Sequence, residues 1–543
     1  MNTEESYSKS SSSFIHSSTV VNNADPIAPL TNTKSPELTS DDEKKDNIEV
    51  QEKRLEEYDD EPESISSVPL TNFDEGVVGW DSVDDPENPQ NWSTSKKWRT
   101  MGLVSFSTFL LPLASTIFAP GVSLIAEEFN VRSTTVESLM VSIFIFGFGW
   151  GPLLLHAPVC ELYGRKISVL MSNIFFALFM LGCAFSKDVG TFFTCRFLGG
   201  LLGCASVVVG GGVISDMFTR EAMGRASAVY TTGPLIGPVV GPIIGGFMAQ
   251  NAGWRWIFRF LVIAGFGSCL CFYLFVQETN HHNLLRQKAK RLRKQLDRPD
   301  LVSVLDKRNR RTPVMVFVFG FTRPLALLFT NPIAFALGLY MGISFAYLYI
   351  FLTTISTVFQ DIYHFRTGVT GLAYLGLGMG LQTALFTIGW TNDQLVRWLT
   401  RRNNGVREPE FRLYPLYIAC VALPGAMFWY GWAVQTRAHW FAVVASMFPL
   451  GIGMVSSSFP IETYLIEIFA PYGLSASATA AGNCFRMTTG AFFPLVAPSL
   501  FSRLDYGWGC SLLGFLALGV CGSMSVGLIH FGKQLRLKCP PTV

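Results

Sequence analysis

Four charged side chains lie within, or at the ends of, long apolar segments of this sequence. Arg196 is near the start of one segment and Arg486 is in the middle of another, whereas Glu462 and Glu467 flank the end of a third. Charge inside a membrane costs at least about 2.5 kcal/mol, so such side chains usually face a water-filled cavity or a partner. Arginine keeps its proton and would act on a carboxylate or an anion, whereas a buried glutamate could titrate. We therefore expect a functional role for Arg196 and Arg486 and a titrating, proton-coupling role for Glu462 and Glu467, with an ordinary helix end as the alternative for the two glutamates.

Glycine and proline alternate along the fifth apolar segment. Because the glycines recur every four residues, a helix would carry them as one smooth stripe against which a neighbouring backbone can pack closely. Each proline removes a backbone hydrogen bond and favours a bend. The run predicts a helix that bends during function, and a tightly packed static helix is the alternative. Its residues are Gly233, Pro234, Gly237, Pro238, Gly241, Pro242 and Gly245.

A third constellation surrounds a short turn after the second apolar segment. The turn requires Gly164, and the bases that follow it can anchor at the phosphate level of a membrane. Glu161 can cap or pair locally, so a charge set that forms in only one conformation would act as a gate. A plain basic turn is the alternative. The residues of this predicted gate are Gly151, Glu161, Gly164, Arg165 and Lys166.

Aromatic and polar side chains within several apolar segments are candidates for a binding cavity. Rings of this kind can accept flat or cationic compounds, although most will pack against other helices or lipid. We expect the cavity near the membrane midplane, between helices 1, 4, 5, 7, 8, 10 and 11. The predicted lining is Phe118, Tyr230, Tyr347, Tyr349, Gln382, Asn483 and Arg486.

The elements that position these residues follow from composition. Of the 543 residues, 49% are hydrophobic and 15% charged, whereas a soluble domain has roughly 25% charged residues. A membrane-spanning helix needs about 20 apolar residues. Windows of that length fall near 99–119, 136–156, 167–186, 191–213, 226–249, 256–276, 333–355, 369–390, 414–434, 439–461, 475–500 and 508–530. They predict an all-α membrane protein of twelve transmembrane helices in two six-helix bundles, at 98–276 and 333–530.

The distribution of basic residues predicts the orientation. Residues 277–332, between the two halves, hold twelve Lys and Arg residues. Such a loop stays cytoplasmic, which places both termini, including a tail at 531–543, in the cytoplasm. Part of the loop, LLRQKAKRLRKQL, could form a basic amphipathic helix on the anionic inner leaflet. The same rule accounts for the bases without any nucleic-acid partner.

The first 97 residues differ from the remainder of the chain. They contain 22 acidic and 8 basic side chains and a serine-rich start. This composition predicts a disordered, acidic cytoplasmic tail, with a phosphorylated or ubiquitinated regulatory arm as the sharper alternative. No apolar run precedes Trp98 that could serve as a signal peptide, so the first transmembrane helix would direct insertion.

The remaining chemistry-bearing residues suggest no metal and no cofactor. The 11 cysteines lie mostly in apolar segments without ligand spacing, which is typical of small buried side chains. No nucleotide-binding GxxxxGK[ST] motif occurs, and no nucleophile and base share a recognisable face. We therefore expect neither an enzyme nor a nucleotide-driven pump.

Together these motifs resemble those of the major facilitator superfamily and, within it, the fungal twelve-helix drug:proton antiporters. The turn ending at Lys166 resembles motif A, with Glu161 where Asp is usual. Arg196 resembles the arginine of motif B, and the glycine–proline run resembles motif C, the mark of antiporters. Residues 88–93, NPQNWS, are similar to that family's NPxNW segment. The resemblance covers about residues 78–530, with departures such as Glu467 where Asp is common.

The resemblance implies export of varied small organic molecules in exchange for protons, with Arg196 as the proton-coupling residue. The proton gradient would replace any cofactor, and the partners would be the cargo, protons and the lipid bilayer around a functional monomer. Drugs, polyamines, organic acids and secondary metabolites all remain open as cargo. We expect the fungal plasma membrane, with the vacuolar membrane as the alternative. A nutrient importer of the same fold is a rival function, and a non-transporting membrane sensor is a remote one.

Overall fold

A computed structural model describes residues 70–540, apart from Glu75 and residues 309–311. Within these residues, eleven helical segments are long and apolar enough to span a membrane, and the last, Ser475–Lys538, is broken at Asp505 into two. The twelve resulting helices are α1 (Thr94–Thr116), α2 (Thr134–Tyr163), α3 (Arg165–Phe185), α4 (Val189–Met217), α5 (Arg220–Ala252), α6 (Trp254–Phe275), α7 (Pro332–Ile362), α8 (Thr367–Arg402), α9 (Pro409–Gln435), α10 (Trp440–Phe469), α11 (475–504) and α12 (506–538).

Local sequence explains where these helices begin and end. The side chain of Asp188 caps α4 by accepting a hydrogen bond from the Thr191 amide at 2.6 Å. Asn331 caps α7 in the same way, directly before a proline at the first helical position. Between α2 and α3 the chain reverses at Gly164, whose φ of +93° favours glycine. Together, the twelve helices confirm the predicted all-α membrane fold.

The helices form an N bundle (α1–α6) and a C bundle (α7–α12). Because each bundle has an even number of helices, the start of α1 and the end of α12 lie on one side of the protein, called here the terminal side. At the opposite side the bundles are joined by hydrogen bonds. The Gln360 amide donates to the carbonyl of Pro120 at 2.8 Å, and the Gly368 amide donates to Gln250 at 2.9 Å.

The segment between the bundles contains two further helices. A loop helix spans His281–Leu296 and so contains the whole basic stretch, residues 284–296, that was predicted to be helical. A linker helix spans Pro313–Thr330 and is apolar, which the prediction of one basic loop at 277–332 overlooked. The twelve bases of that loop are concentrated before residue 312, so the average charge concealed the apolar part. The linker helix packs against the end of α2, where Gly320 lies beside Pro158.

Two terminal predictions need correction. Residues 70–92, expected to be part of a disordered tail, form a hairpin and a short strand, and α1 begins at Thr94. The acidic average of residues 1–97 hid the apolar Val77, Val78 and Trp80, all of which are buried. The prediction for residues 1–69 falls outside the described part of the chain. At the other end, α12 continues to Lys538, well into the predicted tail.

Candidate functional site

A charged pair lies between α10 and α11. Arg486 Nη1 is 3.1 Å from Glu462 Oε1. Glu462 precedes the terminal-side end of α10 by about two turns, and Arg486 follows the start of α11 by three. At 1.5 Å per residue, both lie roughly 10–16 Å inside the helix ends, within the apolar, membrane-spanning helices α10 and α11. The sequence placed Glu462 beyond a helix ending at 461, whereas α10 extends to Phe469 and carries it.

The arginine of this pair is held more firmly than the glutamate. Arg486 Nη2 donates to Asn483 Oδ1 at 2.5 Å, and its guanidinium lies 5.0 Å from the ring centre of Phe345 on α7. Its Nε atom is buried without a hydrogen-bond partner among the described residues. The Arg486 side chain is 14% exposed and that of Glu462 is 36% exposed. Glu462 is therefore the member of the pair that water, protons or a ligand can reach.

Tyr230, the predicted cavity residue of α5, packs within the N bundle. Its hydroxyl donates to the carbonyl of Val207 at 3.0 Å, and its ring packs on Gly210 of α4. Ten residues into α5, it lies about 15 Å from the terminal-side end of that helix, at a depth similar to that of the ion pair. The structure therefore brings together Glu462, Asn483 and Arg486 from the predicted site, and it places Tyr230 against α4.

Arg196 occupies a different environment, 0% exposed within the N bundle. Its Nη1 and Nη2 atoms donate to the carbonyls of Ala114 and Ser115, at 2.8 and 3.3 Å. These carbonyls belong to the last turn of α1, where helix geometry leaves them without amide partners and concentrates negative potential. The predicted action of Arg196 on a carboxylate finds no carboxylate contact in the described residues. Arg196 instead caps α1 from α4.

Two aromatic rings complete the environment of Arg196. Its guanidinium lies 4.4 Å from the ring centre of Phe118 and 4.6 Å from that of Phe144. Such cation–π contacts favour a charge that has lost its water. Phe118 was predicted to line the cavity, but it is fully buried and also packs on Phe192 and Phe258. Its role is to cover Arg196 within the N bundle.

Tyr349 connects the two arginine sites across the bundles. Its hydroxyl is 3.3 Å from the hydroxyl of Ser115, whose carbonyl accepts from Arg196. Its ring lies 5.1 Å, centre to centre, from that of Phe345, which in turn lies beneath the guanidinium of Arg486. Tyr347 points elsewhere, because two residues along a helix turn the side chain by about 200°. Its hydroxyl donates to the carbonyl of Leu513 at 2.7 Å inside the C bundle, so the prediction that Tyr347 lines the cavity is wrong.

Gln382 is the remaining predicted cavity residue. Both polar atoms of its side chain are buried and have no hydrogen-bond partner among the described residues. A buried amide without partners is costly, so this position favours a polar ligand or water in the working protein. The structure places it on α8, apart from the contacts that join Arg486 to Glu462.

Glu467 lies at the terminal side rather than beside Arg196. Its carboxylate pairs with Arg407 at 2.7 Å and also with Arg412, which in turn reaches Asp393 at 3.2 Å. The cluster ties the end of α10 to the segment that follows α8. The structure therefore separates Glu467 from Glu462, although the sequence grouped them as proton-coupling candidates.

The predicted gate at the turn between α2 and α3 forms around other carboxylates. Arg165 pairs with Asp216 of α4, with 2.6 Å between Nη1 and Oδ2. Glu278 accepts from the backbone amides of Arg165 and Lys166 at 3.0 and 3.1 Å, which caps α3. Glu161 is exposed and, in the part of the chain that the structure describes, pairs with no base. Gly151 packs against Cys204 and Leu201 of α4.

Asp216 and Glu278 were missed by the sequence reasoning as members of this gate. Asp216 lies three residues beyond the predicted end of helix 4, and Glu278 lies two residues beyond that of helix 6. Acids at the ends of predicted helices, on the side that also carries Arg165, were the available signal. Their meeting depends on how α3, α4 and α6 pack, which a local pattern does not contain.

The glycine stripe of α5 packs along α1, as its spacing predicted. A Cβ atom at Gly237 would lie 2.9 Å from the Leu113 amide nitrogen, and one at Gly245 would overlap the carbonyl of Ile117. Gly233 and Gly241 are equally close to α1, at Ser105 and Thr116. Despite its prolines at 234, 238 and 242, α5 is one continuous helix. Whether it bends during function stays a prediction.

The opposite bundle supplies a second set of glycines against α5, which the sequence reasoning did not single out. A Cβ at Gly378 of α8 would lie 2.5 Å from the side chain of Val239, and Gly371 contacts Pro242. The middle of α5 is thus held between α1 and α8. Close backbone packing of this kind allows bundles to slide with few side chains in the way.

Comparison with known proteins places this arrangement among transporters. The sequence model of the Major Facilitator Superfamily matches residues 104–494. The MFS-type transporter penM of Penicillium rubens is 41% identical over 463 residues, which cover 85% of this chain and 90% of that protein. The efflux pump radE of Floropilus chiversii is 37% identical over 464 residues, covering 85% of each.

Solved structures support the fold at greater distance. The proton:xylose symporter XylE bound to 6-bromo-6-deoxy-D-glucose aligns with a TM-score of 0.59 at 14% identity. The alignment covers 81% of this chain and 96% of that chain. A partially occluded inward-open form of the same transporter from E. coli aligns with a TM-score of 0.57. At this identity the likeness concerns the fold alone.

Proposed function

The chain belongs to the Major Facilitator Superfamily, and on this basis we propose that it exports small organic molecules in exchange for protons. That it is a membrane transporter, rather than an enzyme, follows from its family and its named relatives. Export is favoured by the relative named an efflux pump and by the glycine–proline stripe of α5. The proposed orientation has the terminal side in the cytoplasm of a fungal cell, at the plasma membrane.

The observation that carries the proposal is the pairing of Glu462 with Arg486 inside the membrane-spanning helices α10 and α11. A partly exposed carboxylate at this depth can exchange a proton with water on either side as the bundles rock. When Glu462 is charged, Arg486 is neutralised by it. Protonation removes that partner and leaves Arg486 to another anion or to water, so the two protonation states favour different contacts.

The driving force is adequate for active export without any nucleotide. One charge moved through 100 mV supplies about 2.3 kcal/mol, and one pH unit adds about 1.36 kcal/mol per proton. Together these sustain a cargo gradient of a few hundredfold for one proton exchanged. The proposed cargo is a drug, a polyamine, an organic acid or a secondary metabolite. Metabolite profiling of the medium from deletion and overexpression strains identifies the exported compound, so this experiment comes first.

The test uses the compound that this profiling identifies and inside-out membrane vesicles that contain the full chain. With an acidic interior, we expect wild-type vesicles to accumulate the compound and to lose this accumulation when a protonophore is added. Glu462→Gln removes the ionisable carboxylate while keeping size and polarity. We expect it to reduce gradient-driven accumulation at least about tenfold, while exchange of labelled for unlabelled compound continues.

The matched control is Glu161→Gln, the same chemical change at an exposed carboxylate, which we expect to transport like the wild type. Undiminished pH-driven accumulation by Glu462→Gln would remove Glu462 from the coupling mechanism. Accumulation that ignores the pH gradient in the wild type would contradict proton coupling itself. Uptake only in right-side-out vesicles would instead favour a nutrient importer.

A further inference from the structure

Residues 70–92, which precede α1, fold onto the loop helix. The chain turns back on itself so that Asn72 and Val77 exchange backbone hydrogen bonds, both at 2.9 Å. The strand β1 (Val77–Val78) then pairs in parallel with β2 (Val302–Ser303), beyond the loop helix. Segments more than 200 residues apart in the chain are thereby joined at the terminal side.

A small buried core and one buried ion pair hold this contact. Val78 and Leu301 are 0% exposed and pack with Ala289 of the loop helix. Lys288 on the same face lies 3.1 Å from Asp85, and both side chains are buried, at 8% and 4% exposed. Asp81 approaches the same ammonium group at 2.8 Å. Because a buried charge without its partner is strongly destabilising, this pair specifies the docked arrangement.

The docked segment reaches the gate through Trp80 and His281. The Trp80 ring, 1% exposed, meets the His281 ring edge to face with 5.7 Å between ring centres. His281 Nε2 is 3.2 Å from the backbone carbonyl of Asp216, whose side chain pairs with Arg165. A continuous chain of contacts therefore runs from residue 80 to the turn between α2 and α3.

The loop helix also holds that turn directly. Asn283 donates from its side chain to the carbonyl of Tyr163 at 3.1 Å, one residue before Gly164. Just before the helix, Glu278 caps α3. Trp92, at the other end of the docked segment, is buried against the N bundle among residues such as Val169 and Met217. Both ends of the segment are thus fixed to elements that carry the gate.

We propose that residues 70–92 are a clasp that locks the loop helix onto the N bundle and thereby controls the opening of the Arg165–Asp216 gate. When the clasp is closed, Asp216, His281 and Asn283 are held in place, and the turn at Gly164 cannot separate from α4. When it opens, the loop helix loses its buried face and the turn is released.

The clasp can be tested in the purified full-length protein without knowledge of the cargo. Lys288→Glu places a negative charge against Asp81 and Asp85 and should open the clasp. We expect amide hydrogen exchange in residues 278–295 to become at least about tenfold faster, because local opening then requires less free energy. Cys160, half-buried at the end of α2 close to Arg165, should react faster with N-ethylmaleimide by a similar factor.

Two further variants separate this device from a general loss of folding. Asp85→Lys combined with Lys288→Glu restores opposite charges and should bring both rates back towards those of the wild type. Lys290→Glu makes the same charge change at an exposed position of the same helix and should leave both rates unchanged. Lys288→Gln serves if the glutamate variant does not remain monodisperse.

Faster exchange in the loop helix with no change at Cys160 would overturn control of the gate, leaving only a local contact. Equal rates in Lys288→Glu and the wild type would overturn the clasp itself. Neither outcome bears on Glu462 or on proton coupling, since the measurements involve no transport.

Discussion

The α1–α4 junction around Arg196 and the α10–α11 junction around Arg486 each hold an arginine inside membrane-spanning helices, and they hold it differently. Arg196 is fully buried, donates to two backbone carbonyls of α1 and is covered by two aromatic rings. Arg486 is partly exposed and pairs with a carboxylate that is more exposed still. Among the described residues, the first arrangement contains no carboxylate, whereas the second does.

The difference indicates that Arg196 and Arg486, two arginines that stand alike among apolar residues in the sequence, have different tasks. Backbone carbonyls at the end of α1 cannot leave their helix, so Arg196 is bound to a permanent partner and stabilises a helix junction. A carboxylate changes its charge with its proton, so the partner of Arg486 is conditional. Proton coupling is better matched to the conditional pair, and a fixed connection between α1 and α4 is better matched to Arg196.

The largest expected effect is on the conditional pair. Arg486→Met leaves Glu462 without its base in the membrane core, where an unpaired carboxylate favours the protonated form. We expect pH-driven accumulation in vesicles to fall at least about tenfold, with the protein still present in the membrane. Arg486→Lys keeps one charge but loses the forked guanidinium that reaches both Glu462 and Asn483. We expect its pH-driven accumulation to lie between those of the wild type and Arg486→Met. Normal pH-driven transport by Arg486→Met would make the pair a structural one.

The sequence could reveal those parts of this contrast that depend on one residue or one helix, but not those that depend on residues far apart in the chain. Their positions among apolar residues were sufficient to single out Arg196 and Arg486, because removing a guanidinium group from water is costly in any fold. The twelve helices were predictable for a similar reason, since a backbone in lipid must satisfy its own hydrogen bonds. The stripe of α5 was predictable because its regular spacing is local to one helix.

The partners of these residues were not predictable in the same way. The carbonyls that bind Arg196 carry no sequence signature, and Asp216 is separated from Arg165 by two helices. Tyr347 and Tyr349 are both aromatic residues of one helix, and only the position of its neighbours directs one to Leu513 and the other to Ser115. The docked segment around Trp80 was hidden by the acidic residues that surround it.

A smaller effect is expected at the fixed junction, and on stability rather than coupling. Arg196→Met keeps the length of the side chain but leaves the carbonyls of Ala114 and Ser115 unsatisfied, at about 1–3 kcal/mol for each buried group. We expect the apparent Tm in detergent, followed by size-exclusion fluorescence after heating, to fall by several degrees. Vesicles with equal amounts of folded protein should retain pH-driven accumulation.

The opposite pattern at Arg196 would change the comparison. Unaltered thermal stability together with lost proton dependence would give Arg196 the coupling role that the resemblance to drug:proton antiporters implies. Arg196→Lys sharpens the test, since it keeps the charge but can cap α1 with only one compact group. Recovery of proton dependence without recovery of stability in this variant would likewise favour coupling.

The smallest expected effect concerns the hydroxyl that joins the two junctions. Tyr349→Phe removes the group that lies 3.3 Å from Ser115, and a bond of this kind contributes about 0.5–1.5 kcal/mol. We expect the variant to accumulate cargo normally at high cargo concentration but to require a larger pH gradient for half-maximal accumulation. Tyr347→Phe is the matched control, because it removes a hydroxyl within the C bundle and should affect only thermal stability. A Tyr349→Phe variant with unchanged gradient dependence would mean that the two junctions act independently, so that their contrast reflects separate functions rather than two halves of one mechanism.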